Sequence, residues 1–544
     1  MSDDISHSTI NSTSSQSGDA FLEKPIPSSD QCSSSNDRES CNNTNEVTAL
    51  EILQKNPLRE LLFILIICSS QFITLVGATQ GIPQMAAIGK TFNVQPSHLL
   101  ELGWCNAAFA TTVGSFVIIA GKLGDVLGHK YIFCIGYGWL ALWSLLTGFS
   151  RYSKANPVFY YFCRGAQGIG AGLLTPTSVA ILGKTYPECK RKNYIFAFFG
   201  ACAPWGVVCG LTFSALFTQL SHWSWTYWSM GIVATLITAM TIIVIPADKI
   251  SECNKSYTYR DFDYLGGFCG ITGLILFSIV WNQAPKATFH NPYIYVLLIV
   301  SVLLMAAALY IDTKVKDPLI PWTDICPDTF RVLVCVFLAY LSFTIWLFYG
   351  FRYSVIARED TLLSGAARAS PMAVAAIIAT IVGGIAINMG VPPQIRLLFA
   401  LICVCVATIL MGTVTSGQIF WGEVFVSIIF IAFALDIIFP AATLMFSDGV
   451  PDELKGISAG LIATVLNYST ALGPGIATTI VRYRCSDCLA RSGPTFTRSV
   501  HIACYFAIGC SGLGVLVAIY GAIYELFFRK DKKYVPKHKE VESS

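Results

Sequence analysis

The sequence predicts an all-α polytopic membrane protein, and three observations carry that expectation. Hydrophobic residues make up 54% of the 544-residue chain and charged residues only 13%, against roughly 25% charged in a soluble globular protein. Mean hydropathy is +0.59. Apolar runs of the length that crosses a bilayer, about 20 residues, recur from Leu61 almost to the C-terminus. The lipid bilayer is therefore the implied partner. A net charge of +3 is too small to indicate nucleic acid. Most of the nineteen cysteines sit inside apolar runs, among them Cys68, Cys134, Cys202 and Cys403, where a thiol packs as a small hydrophobe.

Taken in order, residues 1–56 are rich in Ser, Asn, Asp and Glu and lack periodic apolar positions. Such a segment cannot bury enough surface to fold, so a disordered tail is expected. No charged-then-apolar leader is present, so the first span is expected to act as the insertion signal. The sequons at Asn11 and Asn42 go unused if this tail is cytoplasmic. Spans are expected near 61–82, 103–121, 131–149, 158–182, 194–219, 225–246, 264–283, 292–311, 331–351, 366–388, 395–414, 419–444, 457–481 and 501–527. Fourteen spans place both termini on one side. On that side lie Lys184, Lys190, Arg191, Lys192, Lys249, Lys255, Arg260, Lys314, Lys316, Arg331 and the tail residues Arg529, Lys530, Lys532 and Lys533. The positive-inside rule makes that side cytoplasmic, although Arg352, Arg358 and the basic 482–498 loop fall opposite.

Between the second and third runs lies Gly121-Lys-Leu-Gly-Asp-Val-Leu-Gly-His-Lys130. Three glycines, one acid and two lysines in ten residues read as a working joint at the cytoplasmic face. Asp125 is expected just past the second helix, in a loop whose glycines allow tight turning. There it can pair with cations or a helix N-terminus and so favour one packed state over another. The plainer alternative is a solvated turn. Gly384-Ile-Ala-Ile-Asn388-Met-Gly390 is a weaker echo with Asn in the acid's place. Internal repeats of this kind occur in secondary transporters, with the substrate site between the halves near the midplane.

These residues resemble the major facilitator superfamily. Gly121-x-x-x-Asp125-x-x-Gly128-x-Lys130 is similar to its signature after helix two, with His129 at a usually basic position. Arg164-Gly-Ala-Gln167-Gly-Ile-Gly170-Ala-Gly172 resembles the second signature. Ala203-Pro204-Trp-Gly206-x-x-x-Gly210 resembles the third, associated with antiporters. The resemblance covers about 58–528. Fourteen spans resemble the drug:proton antiporter branch with two extra central helices, here 264–283 and 292–311. Trp281-Asn-Gln-Ala-Pro285, Asp436-Ile-Ile-Phe-Pro440, Phe446-Ser-Asp448 and Asn467-Tyr-Ser469 resemble the fungal subgroup containing aminotriazole-resistance, borate-efflux and low-affinity ammonium transporters.

The resemblance implies two six-helix bundles, 57–246 and 331–528, separated by two extra helices and their loops within 247–330, with a cytoplasmic tail at 529–544. It implies a monomer without cofactor that carries a small-molecule solute, with protons as a second partner, in the plasma membrane or alternatively the vacuolar membrane. Two departures weaken proton-coupled drug export. Thr74 and Thr79 stand where the branch carries an acid and an Asn, and Ala203 replaces a usual Gly.

Arg164 begins a long apolar helix, and an ionisable group within a span is a functional candidate because its desolvation is costly. Its plainer reading is a side chain snorkelling to the outer interface. Gln167 lies one turn on, where both residues face one way. Asp436 is the carboxylate in the middle of a span, a candidate for exchanging a proton or binding a cationic solute. A structural hydrogen bond is the alternative. Gln80, Asn106 and Asn467 are amides within spans, serving either a cavity or interhelical hydrogen bonds. Pro204, Gly206 and Gly210 offer a helix hinge or tight packing. Trp223, Trp225, Tyr227 and Trp228 read as an interfacial belt. Cys485 and Cys488 suit a local disulfide or free thiols better than zinc.

Three functions follow: proton-coupled efflux of a toxic or small polar compound, facilitation of ammonium or boric acid, or a non-transporting membrane sensor. An enzyme is not indicated, since no nucleophile, metal cluster or phosphate loop has usable spacing.

Overall fold

The computed structural model describes residues 56–95, 102–153, 157–186, 190–246, 263–287, 291–315, 327–415, 417–447, 455–485, 488 and 493–528. The expected N-terminal tail up to residue 55, Lys249, Lys255, Arg260, Lys316, Asp448 and the tail from Arg529 lie outside the described residues.

A chain in hydrocarbon must satisfy its backbone polar groups internally, and a helix does so within one segment. Fourteen long helices appear among the described residues: α1 (Pro57–Thr79), α2 (Trp104–Leu127), α3 (His129–Phe149), α4 (Pro157–Thr185), α5 (Lys190–Leu220), α6 (Ser224–Val244), α7 (Tyr264–Ala287), α8 (Pro292–Asp312), α9 (Pro327–Arg352), α10 (Pro371–Asn388), α11 (Pro393–Thr413), α12 (Glu423–Ser447), α13 (Lys455–Arg484) and α14 (Thr497–Phe528). Pro57, Pro292, Pro371 and Pro393 stand in the first turns of their helices, where a missing N–H breaks no intrahelical bond. Twelve of the long helical segments are apolar enough to cross a membrane. The other two, α4 and α13, have 29 and 30 residues. Their many Gly, Ser and Thr positions lower their hydropathy, and small residues are what close helix contacts use.

Three expected boundaries move. The first helix stops at Thr79, not near 82. The helix expected over 366–388 starts at Pro371, after a separate short helix Leu362–Ala367. The second continues through residues 121–127.

Helices α1 to α6 pack on one another, as do α9 to α14, and the two sets meet where α2 lies along α13 and α5 along α10. The α2–α13 seam is made by small and hydroxyl side chains. Ala107, Ala110 and Ala471 pack together, Thr464 Oγ1 donates to the Gly114 carbonyl at 2.9 Å, and Ser115 shares a hydrogen bond with the Tyr468 hydroxyl. Helix α7 touches both α2 and α13. Its Ser278 shares a 2.6 Å hydrogen bond with Thr111 of α2, and one turn later Asn282 Nδ2 donates to the Ala471 carbonyl of α13 at 3.0 Å. Helix α7 is thus fastened to both sets, while α8 packs on it and turns Leu303, Leu309 and Tyr310 outward.

Close approach of α3 and α4 depends on Gly170, where an added Cβ would lie 2.8 Å from the Gly136 carbonyl and the Leu140 amide. Backbone cannot yield there as a side chain does. Gly170→Val is therefore expected to destabilise the protein by about 1–3 kcal/mol, read as a lowered midpoint in detergent thermal unfolding; an unchanged midpoint would contradict this packing.

Candidate transport site

At one end of the first six helices, α2 runs through Leu127 and α3 starts at His129, so only Gly128 breaks the helix. Its φ of +95° suits glycine. Asp125 is therefore not in a loop, as expected, but in the last turn of α2, with its side chain 66% exposed. The dipole at a helix C-terminus disfavours an acid, and two groups answer it: the His129 ring Nε2 lies 3.2 Å away and the Lys184 ammonium of α4 lies 4.0 Å away. Lys130 Nζ donates to the Ile242 and Ile245 carbonyls at the end of α6, the charge sign that a helix C-terminus favours. The His129 ring packs on Gly124, whereas Gly121 faces open space.

Sequence reasoning missed the neighbouring cluster. Glu60, buried in the first turn of α1, accepts from the Tyr186 hydroxyl at 2.9 Å and pairs with Arg191 Nη2 at 2.6 Å. Burial, then the Glu60 carboxylate, pushes the Tyr186 hydroxyl well above its usual range, so it remains a donor. Arg59 Nε donates to the Val244 carbonyl at 3.2 Å. Arg59 and Glu60 were legible only as charges flanking a span, because their partners are distant in sequence.

The other end is built around a break in α1, about 30 Å away along α2 at 1.5 Å per residue. Residues Gln80–Gln84 form turns before the short helix Met85–Thr91, and all five are buried. Pro83 has no N–H to offer a helix and disfavours helical geometry at Ile82. The break therefore leaves carbonyls that need donors. Ser214 of α5 supplies one to Gln80. Arg164 of α4, fully buried, supplies another through Nη2 to the Gly77 carbonyl at 2.7 Å. Its Nε donates to the Cys105 carbonyl of α2 at 3.1 Å and its Nη1 to Gln167 Oε1. The guanidinium lies over the Phe109 and Tyr227 rings, 4.7 and 5.5 Å from their centroids. The snorkelling alternative is thus excluded, and among the described residues no carboxylate pairs with Arg164. Gln167 continues the network to Ser144 of α3 at 2.7 Å and Met230 of α6 at 3.5 Å.

The expected aromatic belt is corrected here. Trp225 is exposed, but Trp223 and Tyr227 are buried, because residues four apart on a helix share a face. Tyr227 accepts from Gln84 Nε2 at 2.6 Å and shares a 2.6 Å hydrogen bond with Tyr160. Beside the break, both amide atoms of Gln80, both of Asn106 and Oε1 of Gln84 are buried without a hydrogen-bond partner. Asn106 packs directly against Gly81. From the second set of helices, Arg352 of α9 approaches with its Nη1 3.7 Å from Met85 Sδ. It is 8% exposed, its Nε has no partner, and its guanidinium lies over Phe348 and Phe496, both at 5.8 Å.

The remaining expected residues lie elsewhere. Asp436 on α12 is partly buried, with Thr380 Oγ1 of α10 donating to Oδ2 at 3.4 Å and Tyr340 of α9 within electrostatic range. Asn467 donates to the Ala463 carbonyl of its own helix at 2.7 Å and packs on Gly114 in the seam. Helix α5 continues through Pro204. Gly206 and Gly210 press against α1, where an added Cβ would lie 2.9 Å from Leu75 Cβ or from the Val76 carbonyl. Cys485 and Cys488 form a disulfide. The structure thus gathers Gln80, Asn106, Arg164 and Gln167 at one end, holds Asp125 and Lys130 at the other, and keeps Asp436 in the second set of helices.

Residues 62–474 match the family described as Major Facilitator Superfamily. The chain is 38% identical over 490 residues to the low affinity ammonium transporter of Saccharomyces cerevisiae, covering 90% of this chain and 93% of that protein. It is 35% identical over 481 residues to efflux pump terG of Aspergillus terreus, covering 87% and 88%. It is 29% identical over 465 residues to the aminotriazole resistance protein of Saccharomyces cerevisiae, covering 85% and 83%. Among solved structures, an autoinhibited POT family peptide transporter superposes with a TM-score of 0.56 at 13% identity, covering 87% of this chain and 98% of that one. At 10% identity the nucleoside transporter NupG also reaches 0.56, covering 85% and 99%.

Replacing Arg164 by Met would take from the Cys105 carbonyl its second donor and leave the Gly77 carbonyl and Gln167 Oε1 without the one Arg164 supplies, at about 1–3 kcal/mol for each group left unpaired. Arg164→Met is expected to lose the monodisperse peak in size-exclusion chromatography, and Arg164→Lys, which cannot span both carbonyls, to show a smaller monodisperse fraction than the unaltered chain. A wild-type profile for Arg164→Met would refute this reading of the network.

Proposed function

Because the chain belongs to the major facilitator superfamily, and is thus a multi-pass membrane transporter rather than an enzyme, we propose that it exports a toxic or small polar solute by alternating access coupled to protons. In this reading all fourteen long helices cross the plasma membrane with both termini cytoplasmic. The sets α1 to α6 and α9 to α14 are the two bundles that rock against each other, with α7 and α8 as the additional pair. Gly121, Asp125, Gly128 and Lys130 form the cytoplasmic gate, where the Asp125 contacts to His129 and Lys184 bias one packed state. Gly206 and Gly210 set the sliding contact of α5 on α1, with Pro204 beside them. Arg164, Gln167, Gln80, Asn106 and Asn467 line or brace the solute pathway.

The observation that carries the coupling is Asp436. It lies in the middle of α12, and among the described residues the one hydrogen bond to its side chain is the long 3.4 Å contact from Thr380. A carboxylate so lightly held in a span, with no cation paired to it among the described residues, is suited to exchange a proton as the bundles move. The efflux relatives agree with export.

A second reading has its own support. The relative printed as a low affinity ammonium transporter matches over most of both chains, and Thr74 and Thr79 occupy the helix-one positions where an acid and an Asn belong to the antiporter pattern. Both favour uncoupled facilitation of ammonium or boric acid.

Asp436→Asn separates these readings. In inside-out vesicles, proton-gradient-driven accumulation of the solute should fall to background in the variant while gradient-free exchange persists. Gradient-driven accumulation that is equal in both proteins would remove Asp436 from the coupling, and uptake insensitive to collapsing the gradient in the unaltered chain would favour facilitation.

A further inference from the structure

The break in α1 carries chemistry that the transport reading does not specify. Three groups of donors beside it have no partner: Nε2 of Gln80, Nδ2 of Asn106 and Nε of Arg352. Gln80 is fully buried and Arg352 is 92% buried, so water in bulk does not satisfy them. Buried polar groups ordinarily have partners, and orphans from the break, from α2 and from α9 among the described residues point to a partner from outside.

The charge of this place is as informative as its hydrogen bonds. Arg164 holds the carbonyl three residues before Gln80 and the one immediately before Asn106. Arg352 reaches Met85, the residue after Gln84, from the opposite bundle. Neither arginine has a carboxylate within ion-pair distance among the described residues. Two buried guanidinium groups without an acid are costly, and an anion brought between them offsets that cost. A cation does the reverse. Two like charges about 6 Å apart at an effective dielectric of about 20 repel enough to weaken binding on the order of a hundredfold. The aromatic faces nearby, Phe109, Tyr227, Phe348 and Phe496, already lie under the two guanidinium groups and so do not receive a cation.

We propose that the α1 break, Gln80–Gln84 with Asn106, Arg164 and Arg352, is a recognition site for a compact oxyanion of the carboxylate class, and that it rejects ammonium-type cations. Arg352 donates to the anion through its unpartnered Nε, the Gln80 and Asn106 amide nitrogens donate to the remaining oxygens, and the amide carbonyl oxygens accept from any hydroxyl of the solute. Arg164 supplies field and holds the break in shape, since its own donors face Gly77, Cys105 and Gln167. Because the break and Arg352 belong to opposite bundles, an anion bound to both also draws this end of the bundles together. The proposal rests on the transport reading for solute access, which occurs when the Arg352–Met85 contact parts.

The test is calorimetric titration of the purified full chain in phosphatidylcholine nanodiscs with benzoate, acetate and methylammonium. Benzoate or acetate should bind more tightly than methylammonium. Arg352→Gln should weaken oxyanion binding about tenfold or more, the loss of a hydrogen bond to a charged group, while Arg352→Lys should retain part of it. Gln80→Leu with Asn106→Leu should also weaken it, and this variant decides the matter if Arg352→Gln does not fold. Methylammonium binding as tightly as the oxyanions, no oxyanion binding, or oxyanion affinity unchanged in the folded variants would each overturn the proposal. The titration is run without a proton gradient, so failure of proton coupling shows in the vesicle experiment alone, and failure of this site in the titration alone.

Discussion

A guanidinium buried inside a helical bundle must find acceptors, and the arrangement of the first six helices follows from how Arg164 finds them. Its acceptors are two backbone carbonyls and one side-chain amide oxygen. A carbonyl in a regular helix already accepts from its own helix, so Arg164 draws on the end of α1, where the break at Gln80–Gln84 leaves Gly77 O available, and adds a second donor to the Cys105 carbonyl in the first turn of α2. Those two sites fix α4 against α1 and α2, and Gln167 extends the hold to α3 and α6. The break and the arginine are thus one feature. An unbroken α1 would leave the guanidinium short of an acceptor, and a chain without Arg164 would leave the carbonyl of the break short of a donor.

The opposite end obeys the same electrostatics with different parts. Helix C-termini collect there: Lys130 and Arg59 donate to the carbonyls that end α6, and Lys184 with the His129 ring lies beside the acid of α2. Glu60 and Arg191 add a partly buried ion pair between α1 and α5. Between the two ends the bundles touch through alanines, glycines and hydroxyls along α2 and α13. Helix α7, fastened to both sides one turn apart, belongs to this seam, while α8 packs on α7 and faces outward.

Much of this was legible from residue types alone. Apolar runs located the helices within a few residues because each must satisfy its own backbone in hydrocarbon. The glycine and charge pattern at Gly121–Lys130 marked the joint, and Arg164 stood out as an ion in a span. The errors were local. Asp125 was expected in a loop because glycines suggest turning, but only Gly128 adopts a positive φ, and Gly124 instead makes room for the His129 ring. Tyr227 was grouped with Trp225 at the lipid interface because aromatic content does not reveal helical phase. Pro83 could be read as a breaker, but nothing in the one-dimensional pattern showed that the break is buried.

The sequence by itself determined the architecture, the family resemblance and the small set of polar residues within the spans, because burial in a bilayer makes helix formation and polar placement local, composition-driven requirements. Only the tertiary structure decided what those polar residues do to one another. Arg164 and the break in α1 are far apart in the chain from Arg352, as Glu60 is from Arg191, and partnership depends on which helix faces meet. That depends on the close approach of glycine-bearing helices and on the seam between bundles, which no single stretch of sequence encodes.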